Sequence, residues 1–437
     1  MPIKLALRLS GRHKLFQVLM LLLLVSVFFI VLVCTSIVNY RLRYYMPLRS
    51  DLNQRGESYG AVSMSCERDG EMHFAKCRTD MEDWLEDVKK VYGSYCWSQV
   101  YCDGRQVSCW SYDTELIEKY TPELEEGRWL RSSDGETHML QAVVYNRDGK
   151  VHAGDVLTLD EDNFGYSIEV QVVGVLKEES LVFGFDTMAE DNNGTYEDYY
   201  VSPEILAYRG AYAMQEPEQV SLGSKPPSPT VLFFHNDALD KNPYFSEKAG
   251  GDGTGIQRVL SGMVVIIWQD DISETTIQKN LEKFTQVQCE YVQKLPLDER
   301  KENSQRYIAA QLFVIAPIGM IVLLLLMVAI LSFEILQTTQ QMKSYAVFFI
   351  CGMNWKKCAL ISLWHEVVLH TAAVILFAVI YFVTTGVLRY RYDLIALHLS
   401  GVLIILGISL FNIFLSVLLP RIIIGKTKPK TLFYEHG

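Results

Sequence analysis

Two short motifs in this 437-residue chain combine residue types that could bind phosphate or zinc. The first, Gly425-Lys426-Thr427, matches the end of a phosphate-binding loop, but Pro420 stands where that loop needs a glycine. The second, HEVVLH at residues 365–370, resembles a zinc-protease helix. Its histidines are five positions apart instead of four, so they lie on different faces of a helix. The sequence therefore predicts neither a nucleotide site nor a metal site in this chain.

An acidic run at residues 160–171, DEDNFGYSIEVQ, begins like a calcium-binding loop. Phe164 and Gln171 replace two of the oxygen ligands that such a loop needs, which excludes that interpretation. The sequence has no Gly-x-Ser-x-Gly elbow and no other cluster typical of catalysis. We therefore expect no catalytic residues and no cofactor.

Glu366 lies within the second motif, near the start of a long apolar run. A carboxylate inside a membrane is costly, so its position needs an explanation. We expect Glu366 to stay wet at the membrane interface, capping a helix or pairing with Lys356 or Lys357, and we favour this over a role in translocation.

Six of the nine cysteines fall in residues 39–306. They are Cys66, Cys77, Cys96, Cys102, Cys109 and Cys289. An even number in one segment is typical of a disulfide-stapled domain outside the cytoplasm. The gaps between the third, fourth and fifth of them lack the short spacing of zinc sites. We therefore favour structural disulfides over metal binding, and the spacing leaves the pairing open.

Four windows of the sequence are almost free of charge, at residues 15–38, 308–333, 360–387 and 397–419. Each is long enough, at ~1.5 Å per residue, to cross a hydrocarbon core of ~30 Å. The first is longer than the apolar region of a signal peptide and no small-residue cleavage site follows it, so we expect a retained anchor. The sequence predicts a membrane α-helical protein with four transmembrane helices and a large α+β extracytoplasmic domain between the first two.

Basic residues near the spans indicate the orientation. They lie in the N-terminal tail, between the second and third spans, and in the C-terminal tail, so we expect these segments and both termini in the cytoplasm of a multi-pass cell-membrane protein. The segment 39–306 is then outside, with 27 Lys and Arg against 47 Asp and Glu, a net charge of −20. That charge excludes nucleic acid as a partner and favours cationic ligands.

The predicted organisation follows from these windows. In chain order it is a cytoplasmic interfacial helix (1–14), the first span (15–38), the extracytoplasmic domain (39–306), the second span (307–335), a cytoplasmic coupling segment (336–359), the third span (360–387), a short external loop (388–396), the fourth span (397–420) and a cytoplasmic tail (421–437).

The outer segment reads as mixed α and β, and it is long enough for two subdomains. Runs of β-branched residues bounded by Asp-Gly and Gly-Asp turns predict strands, as does a buried apolar run further on. The strands are expected at residues 138–145, 155–160, 167–176 and 263–268. Apolar spacing predicts a helix over 79–93 with Asp80 as its cap, and another over 271–287 with Ser273 as its cap.

Several stretches then resemble the permease subunit of the FtsX/MacB class of ABC transporters, the mechanotransmission group. Those similar to its periplasmic core domain are LEEGRWL (124–130), AGDVLTL (153–159), VQVVGVL (170–176) and MVVIIWQDDISETTIQKNLEKF (263–284). The stretch QQMKSYAVFFICGMNWKKCALISLWHEVVL (340–369) is similar to the family segment that leads into the third span, with Gly352 and Glu366 matching its glycine and its acid. The family usually carries more Arg and Glu before that glycine, where this chain has Gln340, Gln341 and Lys343.

The resemblance implies that this chain is not an enzyme and that a separate ABC ATPase subunit hydrolyses ATP. It also implies that two permease chains pair, as a homodimer or a heterodimer, within the lipid bilayer. The ATPase would push on the coupling segment and so move the extracytoplasmic domain, to export or sense peptide or antibiotic-like ligands or to act on an envelope partner. The residues expected to carry this contact are Tyr345, Phe348, Phe349, Gly352, Met353, Asn354 and Trp355.

Two alternatives stay open at this point. The aromatic residues of the coupling segment could simply anchor an interfacial helix among lipid headgroups. The whole chain could instead be a membrane-anchored receptor or scaffold whose outer domain binds a partner without any ATPase. An ectoenzyme is the least supported possibility, because the catalytic clusters are missing from the sequence.

Overall fold

The structure is a computed structural model, and it divides the chain into two compact units. The helical unit comprises Met1–Leu42 and Ile308–Gly437, and the sheet unit comprises Arg43–Tyr307. The residues that the structure describes are 14–63, 65–68, 71–74, 85–97, 100–102, 105–137, 139–146, 149–160, 167–185, 194–212, 230–242, 245, 258–287, 293–387 and 397–426. The predicted interfacial helix (1–13 of it), the external loop (388–396) and most of the C-terminal tail lie outside these residues.

The sheet unit is built on one mixed sheet, with twelve strands in the described part of the chain. Its order is β16-β1-β15-β4-β7-β14-β9-β11-β10-β5-β6, with β8 paired to β11. The bounds are β1 Gly56–Ser63, β4 Val88–Trp97, β5 Tyr101–Cys102, β6 Arg105–Gln106, β7 Ser108–Tyr112, β8 Leu124–Gly127, β9 Leu140–Asn146, β10 Val156–Asp160, β11 Ser167–Leu176, β14 Thr230–His235, β15 Arg258–Trp268 and β16 Gln293–Pro296. Two further antiparallel strand pairs form separate two-stranded sheets. They are β2 Ser65–Arg68 with β3 Glu71–Phe74, and β12 Val182–Phe183 with β13 Tyr200–Val201.

The four predicted strands are confirmed, as β9, β10, β11 and β15. Their β-branched residues fit a pleated surface that is covered by apolar neighbours. In β9, residues 142–145 are buried without alternation, because the strand lies inside the sheet between β11 and β14.

The helix predicted over residues 79–93 is wrong in its C-terminal half. The structure has β4 from Val88 to Trp97, and Asp87 precedes it with a φ of 54°. Val88 and Val91 do share a helical spacing, but β15 and β7 pair with this segment on both sides, and its residues 91–97 are all buried. Tertiary pairing therefore overrides a weak local preference.

Short helices cover the sheet. They are α2 Thr114–Lys119, α3 Pro203–Tyr212, α4 Asn236–Asp240 and α5 Glu274–Val287. The helix predicted over 271–287 is confirmed as α5, and the Oγ of Ser273 accepts a hydrogen bond from the backbone N–H of Thr276 at 3.1 Å, as its predicted capping role requires. Ile277 and Leu281 of α5 pack on Val264 and Ile266 of β15 in one apolar cluster.

The helical unit contains long helices, some of which continue into the sheet unit. Their bounds are α1 Lys14–Leu52, α6 Leu297–Ile350, α7 Trp355–Val387 and α8 Leu399–Lys426. Among the described residues, three segments are long and apolar enough to cross a membrane: Lys14–Leu52, Leu297–Gln340 and Leu360–Thr385. The fourth predicted span falls in α8, which has a shorter apolar stretch at Leu399–Leu415.

Glycines let two helices approach α1 closely. A Cβ added at Gly319 of α6 would lie 2.9 Å from the Sγ of Cys34, and one added at Gly401 of α8 would lie 2.8 Å from the Oγ1 of Thr35. Small residues at such contacts are typical of helix packing in membranes. Nearby, Asn39 donates a hydrogen bond to the Oγ of Ser400 at 2.8 Å. The first helix is thus in close contact with both α6 and α8.

Candidate coupling site

The predicted coupling segment contains a tight turn between two long helices. α6 continues through residues 336–350, and α7 begins at Trp355, so only residues 351–354 form the connection. At the turn, Met353 donates a backbone hydrogen bond to the carbonyl of Phe348 at 2.9 Å, and Cys351 donates one to the carbonyl of Val347 at 3.0 Å. The bond that closes from Met353 back to Phe348 is that of a Schellman motif, which satisfies carbonyls at a helix end.

Gly352 is at the position of this motif that requires a left-handed backbone. Its φ is +85°, and no atom would lie within 4 Å of a Cβ added there. Backbone conformation, and not lack of space, therefore selects glycine at this position. The sequence-based expectation that Gly352 allows the chain to turn into the third span agrees with this geometry.

An apolar contact holds the turn in place. Phe348 and Met353 both pack on the buried side chain of Ile361, one turn and a half into α7. Phe348 and Met353 are at the two positions, C3 and C″, where apolar side chains commonly accompany a Schellman motif. The next helix starts with a hydrogen bond from the N–H of Lys357 to the carbonyl of Asn354, at 2.8 Å. The connection is therefore a fixed corner with its own small core.

The structure brings together part of the predicted contact set. Phe348 and Met353 are half-buried within the corner, whereas Gly352 and Asn354 are exposed. Tyr345, Phe349 and Trp355 belong to the helices on either side, and their side chains lie outside the described residues.

Two exposed apolar residues beside the corner were missed by the sequence analysis. Val347 is 51% exposed and Ile350 is 66% exposed, at the last turn of α6. The sequence did contain an indication of them, since both are aliphatic residues in a short segment between lysines. The predicted contact set was instead built on the aromatic residues of that segment. Exposed aliphatic side chains next to a fixed corner could contact a protein partner or lipid.

Glu366 does not lie where the sequence analysis expected it. Its side chain is 3% exposed and faces the interior of the helical unit, in the stripe of α7 that includes the buried Leu369 and Ala373. This corrects the expectation of a wet carboxylate at the interface. The reason is helical periodicity, because residues 366, 369 and 373 share one face of α7.

Glu366 forms a polar pair with His370 inside this apolar setting. The Nδ1 of His370 is 3.0 Å from the backbone carbonyl of Glu366 and 3.9 Å from its Oε2. His370 is also buried, and its Nε2 has no hydrogen-bond partner in the described part of the chain. His365, also buried, lies on another side of the helix. Within the described residues, no group of three His, Cys, Asp or Glu side chains could hold a metal ion.

In the sheet unit, a buried arginine ties together the start of α6 and two distant segments. The Nε of Arg300 donates to the Oγ of Ser58 at 3.0 Å, and its Nη1 donates to the carbonyl of Thr195 at 2.6 Å. The same Nη1 lies 3.3 Å from Asp198, and the guanidinium stacks 4.3 Å from the ring centre of Tyr199. Burial raises the pKa of Asp198, although the nearby Arg300 works in the opposite direction.

A second charged cluster holds the end of α1. Asp51 accepts a hydrogen bond from Lys119 at 2.6 Å and another from the hydroxyl of Tyr92. Burial raises the pKa of Tyr92 well above its ordinary value, and the neighbouring Asp51 adds to that shift. α1 and α6 each have residues in both units. The ends of these two helices that belong to the sheet unit are therefore fixed to the sheet by buried polar groups.

The glycines of the family-like stretches have structural explanations. Gly127, in LEEGRWL, has a φ of +73°, and a Cβ there would lie 2.3 Å from the carbonyl oxygen of Val173. Gly174, in VQVVGVL, is equally crowded by the neighbouring strand, since a Cβ added there would lie 2.2 Å from the carbonyl oxygen of Arg128. Arg128 then forms a two-point contact with Asp134, at 2.8 and 2.9 Å. These residues lie where β8 and β11 pair closely in the sheet, with Gly127 opposite Gly174.

Of the candidate disulfide cysteines, the structure describes the side chains of three. Cys96 lies opposite Trp110, and Cys109 lies opposite Trp97, so Cys96 and Cys109 are on opposite faces of the β4–β7 pair and cannot bond to each other. No disulfide joins any two of the cysteines that the structure describes. Cys66, Cys77 and Cys289 lie outside the described side chains, so pairing that involves them stays a prediction.

Comparison with known proteins gives matches among solved structures. No family model matches the chain, and no curated protein matches it in sequence. The periplasmic region of MacB from Actinobacillus actinomycetemcomitans matches 58% of this chain and 94% of its own length, at 10% identity and a TM-score of 0.28.

Two further structures match at the same identity. The extracellular domain of the noncanonic ABC-type transporter YknZ from Gram-positive bacteria matches 51% of this chain and 88% of its own length, at 10% identity and a TM-score of 0.25. A domain of a putative permease protein from Porphyromonas gingivalis matches 54% of this chain and 81% of its own length, at 10% identity and a TM-score of 0.24.

Proposed function

We propose that this chain is the permease subunit of an FtsX/MacB-class ABC transporter, working with a separate ATPase subunit. The ATPase docks on the cytoplasmic corner at residues 345–355, and its ATP-driven closure moves the sheet unit outside the membrane. Two such chains pair around the ATPases, with both termini in the cytoplasm, as the basic residues beside the spans favour. The moving domain acts on a peptide or antibiotic-like ligand, or on an envelope partner.

The observation that carries this proposal is the construction of α6 and its corner. α6 begins at Leu297 in the sheet unit and ends at Ile350 in the helical unit, a run of 54 residues. At ~1.5 Å per residue, such a helix measures about 80 Å along its path. Its last turn is closed by the Schellman bond and held by Ile361, so a push on the corner is not absorbed by a loose loop.

The exposed residues of the corner fit a partner of the expected kind. Val347 and Ile350 offer aliphatic surface, and the polar Asn354 is exposed beside them. A protein interface commonly has an apolar centre with a polar rim. This favours a docked protein over headgroup anchoring alone, since the corner combines a fixed shape with both kinds of side chain.

The test is isolation of the full chain from its native membrane in mild detergent, with mass spectrometry of what co-migrates. We expect a nucleotide-binding ABC subunit. Changing Val347 and Ile350 together to alanine should weaken its retention about tenfold, which corresponds to a loss of ~1.4 kcal/mol of apolar burial at the interface.

The matched control is Leu325→Ala. Leu325 lies on the same helix and is 66% exposed, as Ile350 is, but it is 25 positions from the corner. Its variant should retain the ATPase as the unaltered chain does. If no ATPase co-migrates, or if the Val347/Ile350 variant retains it fully, the permease proposal is wrong and the receptor or scaffold alternative is favoured.

A further inference from the structure

Glu57 is an acidic side chain buried within the sheet unit. It belongs to β1, where it lies opposite Ile266 of β15 on one side and Pro296 of β16 on the other. Its side chain is on the same face as that of Tyr59, two residues along, and this face is covered by an apolar cluster that includes Tyr59 and Ile266. Glu57 itself is only 8% exposed.

The carboxyl group of Glu57 is poorly satisfied. Its Oε2 is buried and has no hydrogen-bond partner in the described part of the chain. Three charged side chains act on it: Lys294 of β16 favours the carboxylate, whereas Asp298 and Glu299 of α6 oppose it. β15 presents Ile266 on this face, and α5 presents apolar residues to the same cluster.

These surroundings favour the protonated form. Burial, the largest cause, and the two acidic neighbours raise the pKa of Glu57 from an ordinary 4.5 to about 7, although Lys294 lowers it. A buried carboxyl in apolar surroundings is neutral until the pH reaches its raised pKa. Glu57 therefore changes charge close to neutral pH.

The location of Glu57 gives this change a mechanical consequence. β1 begins at Gly56, four residues after the end of α1, and β16 ends at Pro296, directly before α6 begins. Within the described residues, β16 is an edge strand of four residues that pairs only with β1. The β1–β16 pair therefore connects the end of α1 and the start of α6 to the sheet. Glu57 lies within this strand pair.

We propose that Glu57 is a proton-operated latch between β1 and β16. With its proton, the side chain stays in the apolar cluster and the strands remain paired. Without it, a carboxylate lacking a full set of partners is repelled by Asp298 and Glu299, and release of β16 lets water reach it. This inference goes beyond the proposed function and does not depend on an ATPase.

The direction of the pH dependence follows from proton linkage. In the open form Glu57 has its ordinary pKa of 4.5, and in the closed form about 7, so the closed form holds the proton more tightly. Closed pairing is therefore most stable at low pH, weakens as the pH rises between these two values, and becomes constant above the higher one. Within that window the opening constant rises at most about tenfold per pH unit, because one proton is lost on opening.

Hydrogen exchange of the full chain in detergent, between pH 5 and pH 8.5, tests the latch. The measured amides are those of residues 57–60 and 293–295, with each rate divided by the intrinsic rate at that pH. We expect their opening constant to rise up to about tenfold per pH unit to near pH 7 and then to level. In Glu57→Gln, which cannot ionise, it should be independent of pH.

The control is Glu302→Gln, because Glu302 is an exposed acid of α6 that pairs with Arg306. It should keep the pH profile of the unaltered chain. A second variant, Lys294→Met, removes a nearby charge that favours the carboxylate and should shift the profile to higher pH. Protection that does not change with pH in the unaltered chain, or an unshifted profile in Lys294→Met, would overturn the proposal even if Glu57→Gln failed to fold.

Discussion

Both units bury charged or ionisable groups, but they hold them in different ways. In the sheet unit, Arg300 contacts Ser58, Thr195 and Asp198, which are all more than 100 positions away in the chain. In the helical unit, the buried pair is Glu366 and His370, four positions apart on one helix.

The difference is between contacts that join distant segments of the chain and contacts between neighbours on one helix. The Arg300 contacts join β1, the segment before β13 and the start of α6, so they exist only when the whole sheet unit is assembled. The Glu366–His370 pair joins residues that α7 would bring together by itself. The Nε2 of His370 lacks a partner in the described part of the chain, so hydrogen bonds offset the burial of this histidine only in part.

Replacing Arg300 should give the largest effect on stability. Arg300→Met keeps the side-chain length but leaves Asp198 buried without its cation. We expect the free energy of unfolding of the sheet unit to fall by about 3–5 kcal/mol, as for other broken buried pairs. The measurement is denaturant unfolding of the full chain in detergent, followed by tryptophan fluorescence.

Arg306→Met is the matched control for that experiment. Arg306 is on the same helix and pairs with Glu302, but its side chain is 71% exposed. An exposed pair contributes little, so we expect a change below about 1 kcal/mol. Replacing Asp198 by leucine together with Arg300→Met should recover most of the loss, because no unpaired charge remains. Equal effects at Arg300 and Arg306 would show that burial and long-range contacts do not set the contribution of Arg300 to stability.

Gly352 supplies an intermediate case, since it stabilises the helical unit through the backbone alone. Gly352→Ala places a Cβ in open space but in a left-handed conformation, with φ +85°. We expect a loss of about 1–2 kcal/mol, which is the cost of that conformation for a residue with a Cβ. Thermal unfolding of the full chain measures it.

A change in stability of the opposite sign is expected for an alanine at Gly407, which lies inside α8 with no atom within 4 Å of an added Cβ. Gly407→Ala should stabilise the chain by about 0.5–1 kcal/mol, because alanine is the better helix former. If both variants lose stability equally, the turn does not depend on the left-handed glycine.

Local patterns predicted local structure well. The strands at β9, β10 and β11 and the capped helix α5 follow from residue type and spacing over fewer than twenty positions. The corner was also partly predicted, because a lone glycine between two apolar runs indicates a turn. The extent of α6 was not, since residues 336–350 are mixed in composition and yet continue the helix.

What the sequence could not indicate depends on partners far along the chain. β4 was predicted as a helix because the pairing that makes it a strand comes from β15, more than 150 positions away. Glu366 was placed in water because only the packing of α7 shows which of its faces is buried. Glu57 was not predicted as a functional residue, because the sequence alone does not show that this glutamate is buried or which charges lie near it.

The smallest effect on stability should come from the Glu366–His370 pair. This prediction is the most direct test of its contrast with Arg300. Replacing Glu366 by methionine and His370 by leucine removes two buried polar groups and keeps their volume close to the original. For such a replacement we expect the free energy of unfolding to change by less than about 1 kcal/mol, or to rise. The helix needs neither side chain for its own hydrogen bonds, whereas Arg300 cannot be removed without leaving a buried charge.

The same double variant should lose coupled activity if the pair is retained for function. The measurement is the ATPase rate of the purified complex, set beside unfolding of the same preparation. A stable variant with an impaired rate would place Glu366 and His370 in the working part of the helical unit. A variant that unfolds as easily as Arg300→Met would contradict this, because the pair would then hold the helices together in the way that Arg300 holds the sheet.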